Sequence, residues 1–270
     1  MTGEPKNNEE LHFKISDLNL RIYIPIHFFI VLTPIYPVFY LLLIYLKVFN
    51  YNLQIGLIFL PLVILGLTFL YIVLVVYLTK FVLVLSHWRS KPREGENMER
   101  DFNSRLVFHY HLRGFVKKFP LWLILRSPFH FLVPWMFKTF GLYSIGKNVL
   151  IYDSWIGLEF IYLEDNTIVG IGSVLSSHLV DGMNRLTIKK IKLGKNSQLG
   201  HDVLLAPGVE LGEYAIIRSR AGVPKLEKLK TATVYKSGFD NSLYKRDVKG
   251  TKILRSRLEM TRKNGISKAT

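Results

Sequence analysis

Few groups in this chain can move a proton or nucleophile at neutral pH. Cysteine is absent from the 270 residues, which excludes thiolate catalysis, disulfides, Cys-ligated zinc and iron–sulfur clusters. Of the eight histidines, His178 stands in the block S-S-H-L-V-D-G-M-N-R-L, residues 176–186. An imidazole starts near the pKa that a general base needs at pH 7. A carboxylate held against one ring nitrogen can orient the other toward a hydroxyl or amine, and Glu159 is the candidate for that role. His201 reads as a surface residue. His87, His109, His111 and His130 lie in the apolar part of the chain; His109 and His111 are two apart, but no third ligand accompanies them, so no metal site is expected.

What must position His178 is a repeat of period six. Leu193, Leu199, Leu205, Leu211, Ile217 and Val223 follow one another at that spacing. Most are followed by a small residue, as at Gly194, Gly200, Ala206 and Gly212. Two places before each comes another small or β-branched residue, such as Ser197, Val203, Val209 or Ala215. Backwards, the same phase gives Leu175, Val169, Leu163, Gly157, Ile151 and Ile145, and it fails only at Asp181 and Thr187. A loop is therefore expected to leave the regular path there. Neither a helix of period 3.6 nor a strand of period 2 requires such a comb. A solenoid of short strands does: one aliphatic residue per strand points inward, and each rung buries its face only by stacking on the next.

The Leu/Ile/Val-Gly pattern resembles the hexapeptide-repeat acyltransferases over roughly residues 141–225. The resemblance implies a left-handed parallel β-helix with 18 residues per three-strand coil, a homotrimer, and acetyl-CoA or another acyl-CoA held between neighbouring helices. It also implies that the histidine opening the loop is the catalytic base. On the matching positions of this chain that is His178, followed by Arg185, Pro207-Gly208-Val209 and Ala221-Gly222-Val223-Pro224. The cofactor-binding positions so implied are Arg185, Gly208, Arg218, Arg220, Gly222 and Lys225. The chain is similar in particular to the membrane-bound terminal domains of poly-lysine synthase, where a Glu-Phe pair precedes a Thr-His-Leu; here these are Glu159-Phe160 and Ser177-His178-Leu179. In that subgroup the reaction forms an amide, which leaves a carrier-bound acyl donor as the alternative to CoA. A coil of 18 residues would put Glu159 and His178, nineteen apart, on adjacent coils. A non-catalytic trimeric scaffold is the rival from outside the enzymes.

Ahead of the repeat the chain is apolar. Ile22 to Leu46 and Val48 to Thr79 contain no Asp, Glu, Lys or Arg, and each exceeds the about 20 residues a helix needs to cross a bilayer. The sequence predicts a helical hairpin over about residues 22–47 and 53–79, with Pro25, Pro34 and Pro37 disturbing the first helix and Pro61 the second. Lys80, Arg89, Lys91, Arg93, Arg100, Arg105, Arg113, Lys117 and Lys118 follow it, which puts both termini and the repeat domain in the cytoplasm. Residues 119–140 either form an interfacial or re-entrant segment or pack as an amphipathic helix on the next domain.

The net charge of +16 is localised: residues 218–270 hold 15 Lys plus Arg against 4 Asp plus Glu. Anionic lipid and the phosphates of CoA are the expected partners, and nucleic acid is not, because no recognition motif accompanies the charge. The expected fold is mainly β, a β-helix preceded by a transmembrane α-helical hairpin and an interfacial segment. Its divisions are a polar segment 1–20, the hairpin 21–86, a basic linker with interfacial helices 87–140, the β-helix 141–225 and a basic tail 226–270.

Overall fold

A computed structural model describes residues 20–101, 103–141, 144–181, 184–237 and 243–246. The expected polar segment at the N-terminus and most of the basic tail lie outside them.

The apolar third folds into α1 (Leu20–Leu32), α2 (Ile35–Phe49) and α3 (Leu53–Arg89). The first apolar run breaks at Thr33-Pro34, as its prolines predict, while Pro25 and Pro61 are carried inside helices. Two segments are long and apolar enough to cross a membrane, Arg21–Phe49 and Leu53–Arg89. The Asn52 side chain caps α3 by accepting the Ile55 N–H at 3.5 Å. The helix runs ten residues beyond the expected 79. From Ile72 onward it buries one stripe, Ile72, Val75, Val76, Thr79, Leu83 and Ser86, at the three- and four-residue spacing of a single helix face.

That stripe is covered by α4 (Arg105–Val116), α5 (Lys118–Leu125) and α6 (Val133–Phe140). The segment 119–140 is thus made of short helices packed on α3 and on the first coil. Pro120, Leu121 and Ile124 face inward while Trp122 looks out. Val133, Met136, Phe137 and Phe140 of α6 join the core at the open start of the coils, where a solenoid needs a cap. Gly141 ends α6 at φ 71°, a left-handed terminus suited to glycine.

The repeat is a parallel β-helix with three faces. One face stacks β2 (Ser144–Ile145), β5 (Ile161–Leu163), β10 (Ile191–Leu193), β13 (Glu210–Leu211) and β16 (Lys228–Leu229). The second stacks β3 (Leu150–Ile151), β6 (Ile168–Val169), β11 (Gln198–Leu199), β14 (Ile216–Ile217) and β17 (Val234–Ser237), with β18 (Leu243–Arg246) antiparallel at its end. The third stacks β4 (Trp155–Ile156), β7 (Val174–Leu175), β12 (Leu204–Leu205) and β15 (Gly222–Val223). Neighbouring coils pair eighteen residues apart, as Leu193 with Leu211 and Leu205 with Val223. The comb is the core: Leu163, Val169, Leu175, Leu193, Leu199, Leu205, Leu211 and Ile217 are all buried, as are Thr167, Ser173, Ser197, Val203, Val209 and Ala215 two places before. Each fully buried aliphatic contributes about 1.5–3 kcal/mol. Corners at Asn148, Asn166, Asn196, Tyr214 and Ala232 are left-handed, with φ of 51–59°, and Asn166 hydrogen-bonds Asn148 and Asn196 above and below it.

Three details correct the sequence reading. The coils continue past residue 225 through β16 and β17, with Leu229 and Tyr235 in phase and buried. In the first coil the inward residue is Ile156 rather than Gly157: Ile156 pairs with Leu175, nineteen away, so this turn slips by one residue. Finally, the break at Asp181 and Thr187 is an antiparallel hairpin of β8 (His178–Asp181) and β9 (Arg185–Ile188), to which β1 (Gly95–Glu99) adds a third strand.

Candidate active site

His178 begins β8, at the point where the chain leaves the coil. Ser176 fixes the departure by donating its hydroxyl to the His178 carbonyl. The slipped turn Gly157–Phe160 lies directly alongside, and a Cβ on Gly157 would come within 2.8 Å of Ser177 Oγ. The nineteen-residue register therefore brings Glu159 and His178 to one cavity of about 250 Å³, as the spacing predicts.

The contact between them differs from the expected one. His178 Nδ1 is 3.0 Å from the hydroxyl of Tyr110, on α4, and that hydroxyl is 3.2 Å from Ser177 Oγ. Glu159 instead forms a buried ion pair with Arg113, also on α4, with the two side chains 0% and 2% exposed. Arg113 Nη1 reaches the Ser90 carbonyl at 2.9 Å and Ser86 Oγ at 3.2 Å, so the pair also ties down the end of α3. The reason is geometric: α4 lies across the slipped turn, and its guanidinium takes the carboxylate before the imidazole can. The residue that orients His178 is Tyr110, and Glu159 holds helix to coil.

Arg113 and Lys117, two of the basic residues that follow the hairpin, are both buried. Lys117 gives its ammonium to the Ile156 carbonyl and lies 5.6 Å from the Trp155 ring centroid. Tyr110, Arg113 and Lys117 are spaced three and four apart, which puts them on one helix face. That polar stripe within R-L-V-F-H-Y-H-L-R-G-F-V-K was the signal through which the sequence could have shown them.

Burial governs the ionisation of the site. It lowers His178 to about 4, with Lys117 and Arg100 adding repulsion. It lowers His111 to about 4 as well, helped by His178, whose ring is 6.0 Å away and edge-on. Lys117 falls to about 7, through burial first and Lys118 second. Burial raises the Tyr110 hydroxyl and the Glu159 carboxyl, the latter against the pull of Arg113. At neutral pH the imidazole is thus uncharged. In the base-competent tautomer Nδ1–H donates to Tyr110, Tyr110 donates to Ser177, and Nε2 keeps its lone pair.

On the far side of β8, a groove of about 900 Å³ is lined by Leu179, Asp181, Gly222, Lys225, Lys228 and Lys230, among others. Lys225 pairs with Asp181 at 2.6 Å and so holds the hairpin to the last coils. Of the positions implied to bind a cofactor, Gly222 and Lys225 meet here. Arg218 lies in a shallow depression with His201 and Ser219; His201 is exposed, as expected. Arg220 and Gly208 occupy corners at φ 61° and 84°. Arg185 pairs with Asp181 in the hairpin register and reaches the Asn97 carbonyl at 3.5 Å. Among the described residues no group of three or more His, Asp or Glu is placed to hold a metal ion.

No family model matches this chain, and no curated protein matches it. Solved structures similar to it include acetyltransferases and an N-acyltransferase. A hexapeptide-repeat containing acetyltransferase from Vibrio cholerae is 15% identical with a TM-score of 0.35, over 39% of this chain and 62% of its own. A maltose O-acetyltransferase from Clostridium difficile 630 is 16% identical with a TM-score of 0.42, over 54% and 89%. AntD, an N-acyltransferase from Bacillus cereus seen with dTDP and coenzyme A, is 15% identical with a TM-score of 0.35, over 46% and 82%. The chain therefore spans a little under two thirds of the first of these proteins. At such identity and overlap no residue role is carried across from them.

Proposed function

We propose that the protein is a membrane-anchored acyltransferase that moves an acyl group from a CoA-type thioester to a hydroxyl or amine, with His178 as general base. The observation that carries this reading is the placement of His178. Its Nδ1 is held by Tyr110, its imidazole is neutral at pH 7, and its strand divides a cavity from a lysine-lined groove. In this reading the acceptor occupies the cavity. The donor lies along the groove, its phosphates met by Lys225, Lys228 and Lys230, whose ammonium groups suit phosphate as point charges.

The step balances within those groups. Nε2 takes the proton of the acceptor O–H or N–H as its heteroatom attacks the thioester carbonyl carbon. The C–O or C–N bond forms and the carbonyl π pair moves onto oxygen. Collapse restores the carbonyl and breaks the C–S bond, and the imidazolium returns its proton to the leaving thiolate. General-base catalysis of this kind contributes roughly 10²–10⁴-fold.

The helices α1–α3 are read as the membrane anchor, with both termini and the coils in the cytoplasm, where acyl-CoA and the basic residues after α3 would be found together. A homotrimer is proposed on the repeat's resemblance alone. The test uses purified full-length protein and acetyl-CoA, following thiol release with and without candidate amines and alcohols. His178→Gln should lose release by at least about 10² while still binding acetyl-CoA by calorimetry. Undiminished release would remove His178 from the mechanism, and no binding of any thioester would favour a scaffold.

A further inference from the structure

The cavity beside His178 joins Tyr110, His111 and Glu159 to a further wall. That wall is built from Tyr23 of α1, Phe115 of α4 and Trp155 of the first coil, together with Lys117 and Lys118. The Lys118 ammonium lies 5.2 Å from the Trp155 ring centroid and 5.8 Å from that of Phe115. Among the described residues neither lysine pairs with a carboxylate, since the charge of Glu159 is answered by Arg113. The Lys118 ammonium in a half-apolar recess, beside a Lys117 that burial brings to about 7, favours an anion. An anion seated there would also offset the repulsion that Lys117 exerts on a forming imidazolium at His178.

Next to the recess, Lys118 and Trp155 also line a second cavity of about 270 Å³, apolar on the side of Leu121, Trp122 and Leu125 of α5 and edged by the exposed Arg126–Asp153 pair. Trp122 is 56% exposed at its outer end. Flanking Tyr23 on α1, Ile24 and Phe28 are exposed, so the surface assigned to lipid extends to the level of Tyr23. Each cavity falls just short of the roughly 300–1,000 Å³ that encloses a whole drug-sized ligand. The recess fits a headgroup, with the remainder of the molecule outside. A soluble anion would use the lysines but not the apolar side of the second cavity; an amphiphile uses both.

We propose that the acceptor is a membrane amphiphile with a phosphate-bearing headgroup, seated between His178 and Lys117–Lys118, its chain leaving past Trp155 and Trp122 into the bilayer. This rests on the acyl-transfer reading above. The probe is dodecyl phosphate bearing a diazirine near the head, irradiated with full-length protein in dodecyl maltoside and mapped by peptide mass spectrometry. Label is expected on the peptides containing Phe115–Trp122 and Trp155. It should fall at least tenfold in Lys117→Met/Lys118→Met, or several-fold in Lys118→Met alone should the double variant not fold. Label confined to α1–α3, or unchanged in both variants, overturns the proposal. Equal competition by inorganic phosphate overturns it too, because the ligand is then a soluble anion. Acetyl-CoA binding measured on the same preparation separates the two claims. Binding without label sinks the acceptor alone, whereas label without binding sinks the transfer reading and leaves the headgroup site standing.

Discussion

Between Ile191 and Ser237 the solenoid answers mainly to itself, the Lys225–Asp181 pair with the hairpin apart. Each inward aliphatic meets its equivalent eighteen residues on, and the polar corners are met by the corners above and below. Between Trp155 and Phe160 that self-sufficiency ends. The turn slips by one residue, Phe160 adopts φ 62°, and Glu159 Oε1 and the Ile156 carbonyl are met by Arg113 and Lys117 from some forty residues upstream. A repeat offers identical surroundings at every rung, so it cannot by itself create one exceptional environment. The site forms where the repeat gives way and an outside element supplies the missing partners.

The sharpest way to break this contrast is at Arg113. Arg113→Met leaves the Glu159 carboxylate buried and unpaired, which costs about 3–5 kcal/mol. Adding Glu159→Gln should recover part of the loss, since no uncompensated charge remains. Thermal unfolding of both variants checks this; a double variant no more stable than the single one would show that the pair acts by packing rather than by charge.

Next comes the coil. Leu205→Ala should cost about 2–5 kcal/mol, comparable in stability but different in kind. Acyl transfer per folded molecule should stay near the parent level, because Leu205 answers only to its own stack. A fall in kcat as large as that of a site variant would deny the separation of the two regions.

The smallest expected effect is on protonation. The groups facing His178 are the Tyr110 hydroxyl, the His111 ring, Lys117 and, at longer range, Arg100. With His178 lowered to about 4, the acid limb of kcat/KM for the free protein should fall near pH 4 rather than 6.5. Lys117→Met removes a repelling charge and should move that limb upward. Tyr110→Phe should lower kcat roughly five- to tenfold, the value of one hydrogen bond, with little change in KM. The stability sign follows from the same shift. The unfolded chain binds more protons between pH 4 and 6.5, so the contribution of His178 is present above that window and is lost as pH falls through it.

How much of this the sequence carried depends on what had to repeat. Leu193 through Val223 betrayed the coil because inward positions recur whatever the surface does. The hairpin showed itself only as a break, since nothing in Asp181 or Thr187 says that β1 will pair with β9. His178 was legible from the break and the family pattern, and its distance from Glu159 from the register. The helical spacing of Tyr110 and Arg113 was there to be read, but not their pairing with His178 and Glu159, because partners so far apart in sequence share no period. The +11 beyond residue 217 was visible, yet among the described residues only Lys225, Lys228 and Lys230 of those cations line the groove.

One feature of α3 reaches beyond stability. Its 37 residues make a rod of about 55 Å at about 1.5 Å each, against a hydrocarbon layer of about 30 Å. The upper end of that rod is bound through Ser86 and Ser90 to Arg113, and through Arg113 to the turn beside His178. In the proposed membrane, the height of the reaction centre above the lipid is therefore written in helical residues rather than in a flexible loop. The rod is a ruler: removing one turn would lower the imidazole by about 5.4 Å, and with it the size of headgroup that can reach the base.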